Sequence, residues 1–72
     1  MKFGTAIEKL RAGLKVSRKG WNGKGMYLML QVPDKNSKMK QPYIFIVPDE
    51  NSLVPWTASQ TDILADDWVV VK

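Results

Sequence analysis

Among its 72 residues the chain has no cysteine and no histidine. The first absence excludes disulfides. Together they exclude Ser–His and Cys–His nucleophilic catalysis, and they leave a zinc site only carboxylates, an unusual ligand set. No apolar run approaches the roughly 20 residues that span a bilayer, and the N-terminal residues lack the apolar core of a signal peptide. A soluble protein of the cytoplasm is expected, without metal or cofactor. Acidic residues are scarce early in the chain: residues 1–40 hold ten Lys/Arg against Glu8 and Asp34, whereas residues 41–72 hold Lys72 against five carboxylates. The net charge of +4 is therefore a basic part of +8 beside an acidic part of −4. One part can attract phosphate, and opposite patches can pair between subunits. Solvated lysines that only keep a small protein soluble are the plainer account.

Hydrophobic residues make up 44% and charged residues 25%, the balance of a folded chain and not of a disordered one. We read residues 1–72 as a single ligand-binding domain. A core of this size supplies only a few kcal/mol, and small chains usually add disulfides, a metal or a partner subunit. With the first two remedies removed, a homo-oligomer is expected.

Phe3, Ala6, Ile7, Leu10 and Leu14 recur at helical spacing and predict a helix over about 5–12. Thr5 and Glu8 have capping-box spacing, and Gly13 stands where a helix stops. Lys15 to Lys19 read as a short basic strand, Asn22-Gly23 as a hairpin turn, and residues 25–32 as a second strand. On that strand Met26, Leu28, Leu30 and Val32 share one face, with Tyr27, Met29 and Gln31 on the other. Both faces are mostly apolar, so burial on both sides is expected. A polar loop over 33–42 leads to a strand over 43–47, a turn at 48–51, and Leu53-Val54 continuing toward Pro55. A second helix is predicted over 58–66, with Thr57 as N-cap and Gln60 closing a capping box. Trp68 to Val71 form the last strand. The fold class is α+β: a small antiparallel sheet with an N-terminal helix and a second short helix before the C-terminal strand.

Two segments have the residue types of a binding site. Gly20-Trp21-Asn22-Gly23-Lys24-Gly25-Met26 has the glycines and lysine of a phosphate loop, but it is not a Walker A motif, which requires glycine where Arg18 stands and Ser or Thr where Gly25 stands. Backbone amides and Lys24 can face an anion while Trp21 stacks on a base. A tight turn whose glycines serve only backbone geometry fits equally well. In Pro55-Trp56-Thr57-Ala58-Ser59-Gln60-Thr61-Asp62, a tryptophan precedes a helix N-terminus and four hydrogen-bonding side chains, a composition suited to a polar aromatic ligand. The competing account is a capped helix with Trp56 fastened into the core. Asp62 and Asp66 lie four apart, able to accept from ribose hydroxyls or simply to form a solvated face. A lysine-rich face with Trp21 and Tyr27 keeps a single-stranded nucleic-acid module open, against which stand the acidic C-terminal part and the lack of any recognition signature.

Trp-Asn-Gly-Lys-Gly-Met over 21–26 and Ser-Gln-Thr-Asp-Ile-Leu-Ala-Asp-Asp-Trp over 59–68, with Leu30-Gln31-Val32-Pro33-Asp34 and Pro42-Tyr43-Ile44 between them, resemble the second family of phage Thoeris anti-defence proteins. The resemblance covers nearly the whole chain. It implies a non-enzymatic sponge: a homotetramer in the cytoplasm of the infected bacterium, holding cyclic ADP-ribose isomers between protomers without cleaving them. It further implies that some members take up cyclic dinucleotides at separate pockets. On this reading Trp21 and Trp56 stack, while Arg18, Lys24 and the amides around Asn22 and Gly23 meet the pyrophosphate. Ser59, Gln60, Thr61, Asp62 and Asp66 read polar edges and hydroxyls, and Met26 completes the loop.

Overall fold

Leu28 has no exposed surface, and its neighbours set the architecture. In the computed structural model, which describes residues 1–21, 25–48 and 52–71, Leu28 sits mid-strand between Val16 and Ile46. The elements run α1 (Phe3–Arg11), β1 (Lys15–Arg18), β2 (Tyr27–Gln31), β3 (Tyr43–Val47), β4 (Val54–Pro55), α2 (Gln60–Leu64) and β5 (Trp68–Val71). The strands form one antiparallel sheet in the order β4-β3-β2-β1-β5. This is the expected α+β class. The segment with α2 carries the chain from the β4 edge to the opposite edge, where β5 pairs with β1.

Alternation divides the sheet. One face presents Val16, Leu28 and Trp68, which with Ala6 and Leu10 of α1 form the fully buried core. Phe3, Ile7, Leu30, Ile44 and Ile46 pack around it. The other face presents Tyr27, Met29, Phe45, Val69 and Val71, half-buried, beside the buried Val47. The helix α1 packs on β1, β2 and β5, and α2 packs on α1. The second face is thus mostly apolar, with Lys15, Ser17 and Gln31 also on it, and has no helix across it among the described residues.

Gly13 ends α1 as predicted. Its φ of 87° is left-handed, and Gly13 N–H donates to Leu10 O (3.0 Å) while Leu14 N–H donates to Lys9 O (3.0 Å). This Schellman pattern satisfies the last carbonyls. The predicted helix starts need correction. The first helix begins at Phe3, with Lys2 as N-cap and no side-chain cap, so Thr5 lies inside it and the Thr5–Glu8 capping box does not form. The reason is tertiary: Met1 exchanges hydrogen bonds with Trp68, N to O at 2.7 Å and O from N at 3.1 Å, and Phe3 must turn inward to meet the Trp68 ring at 5.4 Å. The second helix is capped by Ser59, not Thr57, and spans five residues instead of 58–66. Val32, expected on the inner face, is 68% exposed because pairing with β3 ends at Gln31↔Tyr43. The predicted turn at Asn22-Gly23 lies outside the described residues.

Candidate functional site

Three tryptophans and Phe3 meet at one end of the core. Trp68 is fully buried, with Trp21 edge-on at 5.5 Å, Trp56 edge-on at 6.0 Å and Phe3 tilted at 5.4 Å. Trp56 also meets Phe3 at 6.1 Å. Such edge-to-face pairs add to the gain from burial alone. Trp68 Nε1 donates to Asp62 O at 3.0 Å, so the buried indole leaves no polar atom unpaired.

Beside this cluster a single guanidinium joins the two segments singled out in the sequence. Arg18, at the end of β1, donates through Nε to Asp67 Oδ1 (2.8 Å) and through Nη1 to Asp62 Oδ1 (2.9 Å). Asp62 belongs to α2, where its other oxygen accepts from the N–H and hydroxyl of Ser59, and Ser59 Oγ accepts from Asp62 N–H (3.1 Å). Asp67 precedes β5, and its Oδ2 accepts from Gly20 N–H (3.1 Å). Hydrogen bonding from Arg18 holds the Asp67 carboxyl below the usual carboxylate range. For Asp62, burial pushes upward, but the bonds from Arg18 and Ser59 outweigh it and the net direction is down. A carboxylate depressed on folding stabilises the fold above its unfolded pKa and loses that contribution as pH falls through the folded value. Both carboxylates are therefore ionised at neutral pH, and the cluster weakens only in acid.

A cavity of about 320 Å³ opens on the other side of Trp56, between α1 and the β2–β3 part of the sheet. Ile7, Leu10, Leu30, Pro42 and Ile44 give it an apolar floor, Trp56 and Arg11 line it as well, and Tyr43 borders it from a register position on the opposite face of the sheet. Its volume is at the lower end of the range for small-molecule pockets.

Of the residues nominated from sequence, the structure brings Arg18 and Asp62 into contact and places Trp21 and Trp56 on the same buried indole. Met26 is half-buried, whereas Gln60, Thr61 and Asp66 are exposed and Ser59 is the N-cap of α2. Asn22, Gly23 and Lys24 lie outside the described residues. Asp67, Arg11 and Tyr43 were not nominated. Arg11 follows Ile7 by four residues and so shares its helix face. Nothing local to Asp67 announces its partner 49 positions away.

Residues 1–71 match the model of the Tad2-like family, described as the Thoeris anti-defense 2-like domain. Thoeris anti-defense 2 of Bacillus phage SP01 is 39% identical over 85 aligned positions, which cover 100% of this chain and 96% of that protein. A likeness of that extent leaves no part of the fold outside the comparison: the chain belongs to the family of Thoeris anti-defense 2-like domains.

Proposed function

We propose that this protein counters Thoeris defence by holding a cyclic ADP-ribose-type signal uncleaved, in pockets completed by a second copy of the chain. Family membership supports the anti-Thoeris role, exercised in an infected host. No helix among the described residues is long and apolar enough to cross a membrane. The observation that carries the ligand reading is the cavity beside Trp56. The Trp56 ring suits a purine, Arg11 suits a phosphate, and the apolar floor suits the ligand's hydrophobic surface. Its modest volume holds part of such a ligand, so a neighbouring protomer would enclose the rest. Sequestration calls for slow release and nanomolar affinity, about −12 kcal/mol. The lack of histidine and cysteine favours holding over hydrolysis.

Incubation of excess protein with a panel of cyclic ADP-ribose isomers and cyclic dinucleotides tests this directly. A bound ligand should leave the free pool and reappear intact on heating, read by mass spectrometry. A linear or hydrolysed product above trace level would make the protein an enzyme instead.

A second copy is the natural cover for the apolar sheet face of Tyr27, Met29, Phe45, Val69 and Val71. Among the described residues the core on the helix side contains five fully buried ones, and the sequence has no cysteine for a disulfide to supplement it. Light scattering at micromolar concentration should give a mass near four times the 8.2 kDa of the chain. A value of 8.2 kDa itself would refute assembly.

A further inference from the structure

We infer that Lys38 and Lys40 form, with Arg11, a basic collar at the mouth of the Trp56 cavity that speeds capture of an anionic ligand without holding it once bound. The inference rests on the use proposed above for that cavity, a site for a phosphate-bearing ligand. Chain connectivity gives the placement. Pairing of β2 with β3 ends at Gln31↔Tyr43, and the segment between these residues joins the two strands at that end of the sheet. Leu30, Pro42, Tyr43 and Ile44 border the cavity, so this connection leaves from its rim and returns to it. Lys40 lies two residues before Pro42, a chain length of at most about 7 Å, and Lys38 lies four before it, at most about 14 Å. Both lysines are exposed. Arg11, the last residue of α1, reaches the same cavity from the helix side.

The sign of the charge at the mouth depends on these three cations. A helix C-terminus carries roughly half a negative charge, and α1 ends here, which opposes an anion. Arg11, Lys38 and Lys40 each bring a full positive charge and outweigh it. The one carboxylate of the loop, Asp34, is engaged within its own turn, where Oδ1 accepts from Asn36 N–H (2.8 Å) and from the Ser37 hydroxyl (3.2 Å). Both ion pairs among the described residues belong to Arg18, so Glu8, three residues before Arg11, does not pair with it. Exposed charges act over about 8 Å at physiological salt, which makes Lys40 the stronger member and lets low salt extend the reach of Lys38. Charges on the rim of a site chiefly alter the association rate and its salt dependence, whereas groups buried against the ligand alter its release. The lysines belong to the first kind and the Trp56 ring to the second.

Lys38→Gln combined with Lys40→Gln tests the collar. Lys2→Gln combined with Lys19→Gln is the control, because it removes the same charge elsewhere: Lys2 is the N-cap of α1, and Lys19 N–H bonds to Asp67 O beside Arg18. Stopped-flow fluorescence with cyclic ADP-ribose as the probe should give a kon about tenfold lower in the collar variant at low salt, with koff unchanged. The difference should close in high salt, and the control should stay within about twofold of wild type. A ligand-free readout runs beside it: quenching of Trp56 by iodide and by caesium in a Trp21→Phe background, where the remaining Trp68 is fully buried. Measured against free tryptophan, iodide should quench Trp56 better than caesium does, and the collar variant should bring the two level. An unchanged kon or an unchanged iodide preference overturns the inference. So does a raised koff with kon unchanged, which would make the lysines direct contacts. If wild type does not bind cyclic ADP-ribose, the ligand reading fails for that compound, and the quenching ratio still decides whether the lysines charge the mouth. Failure of the collar alone would leave the loss of affinity expected of Trp56→Leu in place.

Discussion

Trp68→Ala is expected to abolish the cooperative thermal transition of this protein. Trp68 is the largest fully buried side chain, and it touches Phe3, Trp21 and Trp56 at once. Replacing a buried tryptophan by alanine typically costs about 3–5 kcal/mol. A core of this size supplies only a few kcal/mol in total. The substitution also strands the Asp62 carbonyl that accepts from Nε1. Trp68→Phe keeps most of the apolar volume and loses that one bond, so it should fold with a lowered melting temperature. Circular dichroism melts at fixed protein concentration check the pair, since assembly itself raises apparent stability. A Trp68→Ala protein that melts within a few degrees of wild type would show that the core does not centre on this ring.

Trp56→Leu should weaken binding of cyclic ADP-ribose by about ten- to a hundredfold while the fold survives. Stacking on an aromatic ring is worth roughly 1–3 kcal/mol per base. Trp56 is half-buried and presents surface to the cavity as well as to Phe3 and Trp68. Leucine retains apolar packing on the inner side and removes the flat ring from the outer side, which separates the two roles better than alanine does. Calorimetry and thermal melts on the same samples make the comparison. If the variant binds at wild-type affinity with an unchanged melting temperature, Trp56 is neither stacker nor staple, and the cavity loses its place as the site. Trp21 offers a contrast, since it meets the same Trp68 ring without lining the cavity.

The elements legible in the sequence are those whose signals are local. Helical spacing through Ala6 and Leu10, the stop at Gly13, and the apolar runs at 43–47 and 68–71 appear in the fold where expected, and the strand expected over 25–32 appears shortened to 27–31. The errors arise where distant contacts choose between local options. Thr57 with Gln60 and Ser59 with Asp62 have the same three-residue capping spacing, and the pull of Arg18 on Asp62 accompanies the second. Phe3 enters the helix because Trp68 awaits it, 65 positions away. At the candidate site, the sequence points to Trp56 because a tryptophan before a helix start is conspicuous. Arg11 and Tyr43 reach the same cavity from a helix and a strand that each read as ordinary structure. Arg18 was legible as a cation near a glycine-rich loop, but its carboxylate partners are 44 and 49 positions away.

Both borders of the sheet are short of free hydrogen-bonding groups. On one side β4 has two residues, one of them Pro55, which has no N–H to offer. On the other, Met1 occupies the outward N–H and C=O of Trp68, so alternation leaves Val70 alone facing outward among the described residues of β5. Another chain therefore finds no continuous ladder to extend, and strand-by-strand growth into fibrils is blocked at both ends. Under the proposed assembly, an isologous contact through the apolar face, the same patch on each partner, would close on itself and stop at a finite size. On that proposal, a chain made abundantly in one cell would accumulate as discrete particles without precipitating.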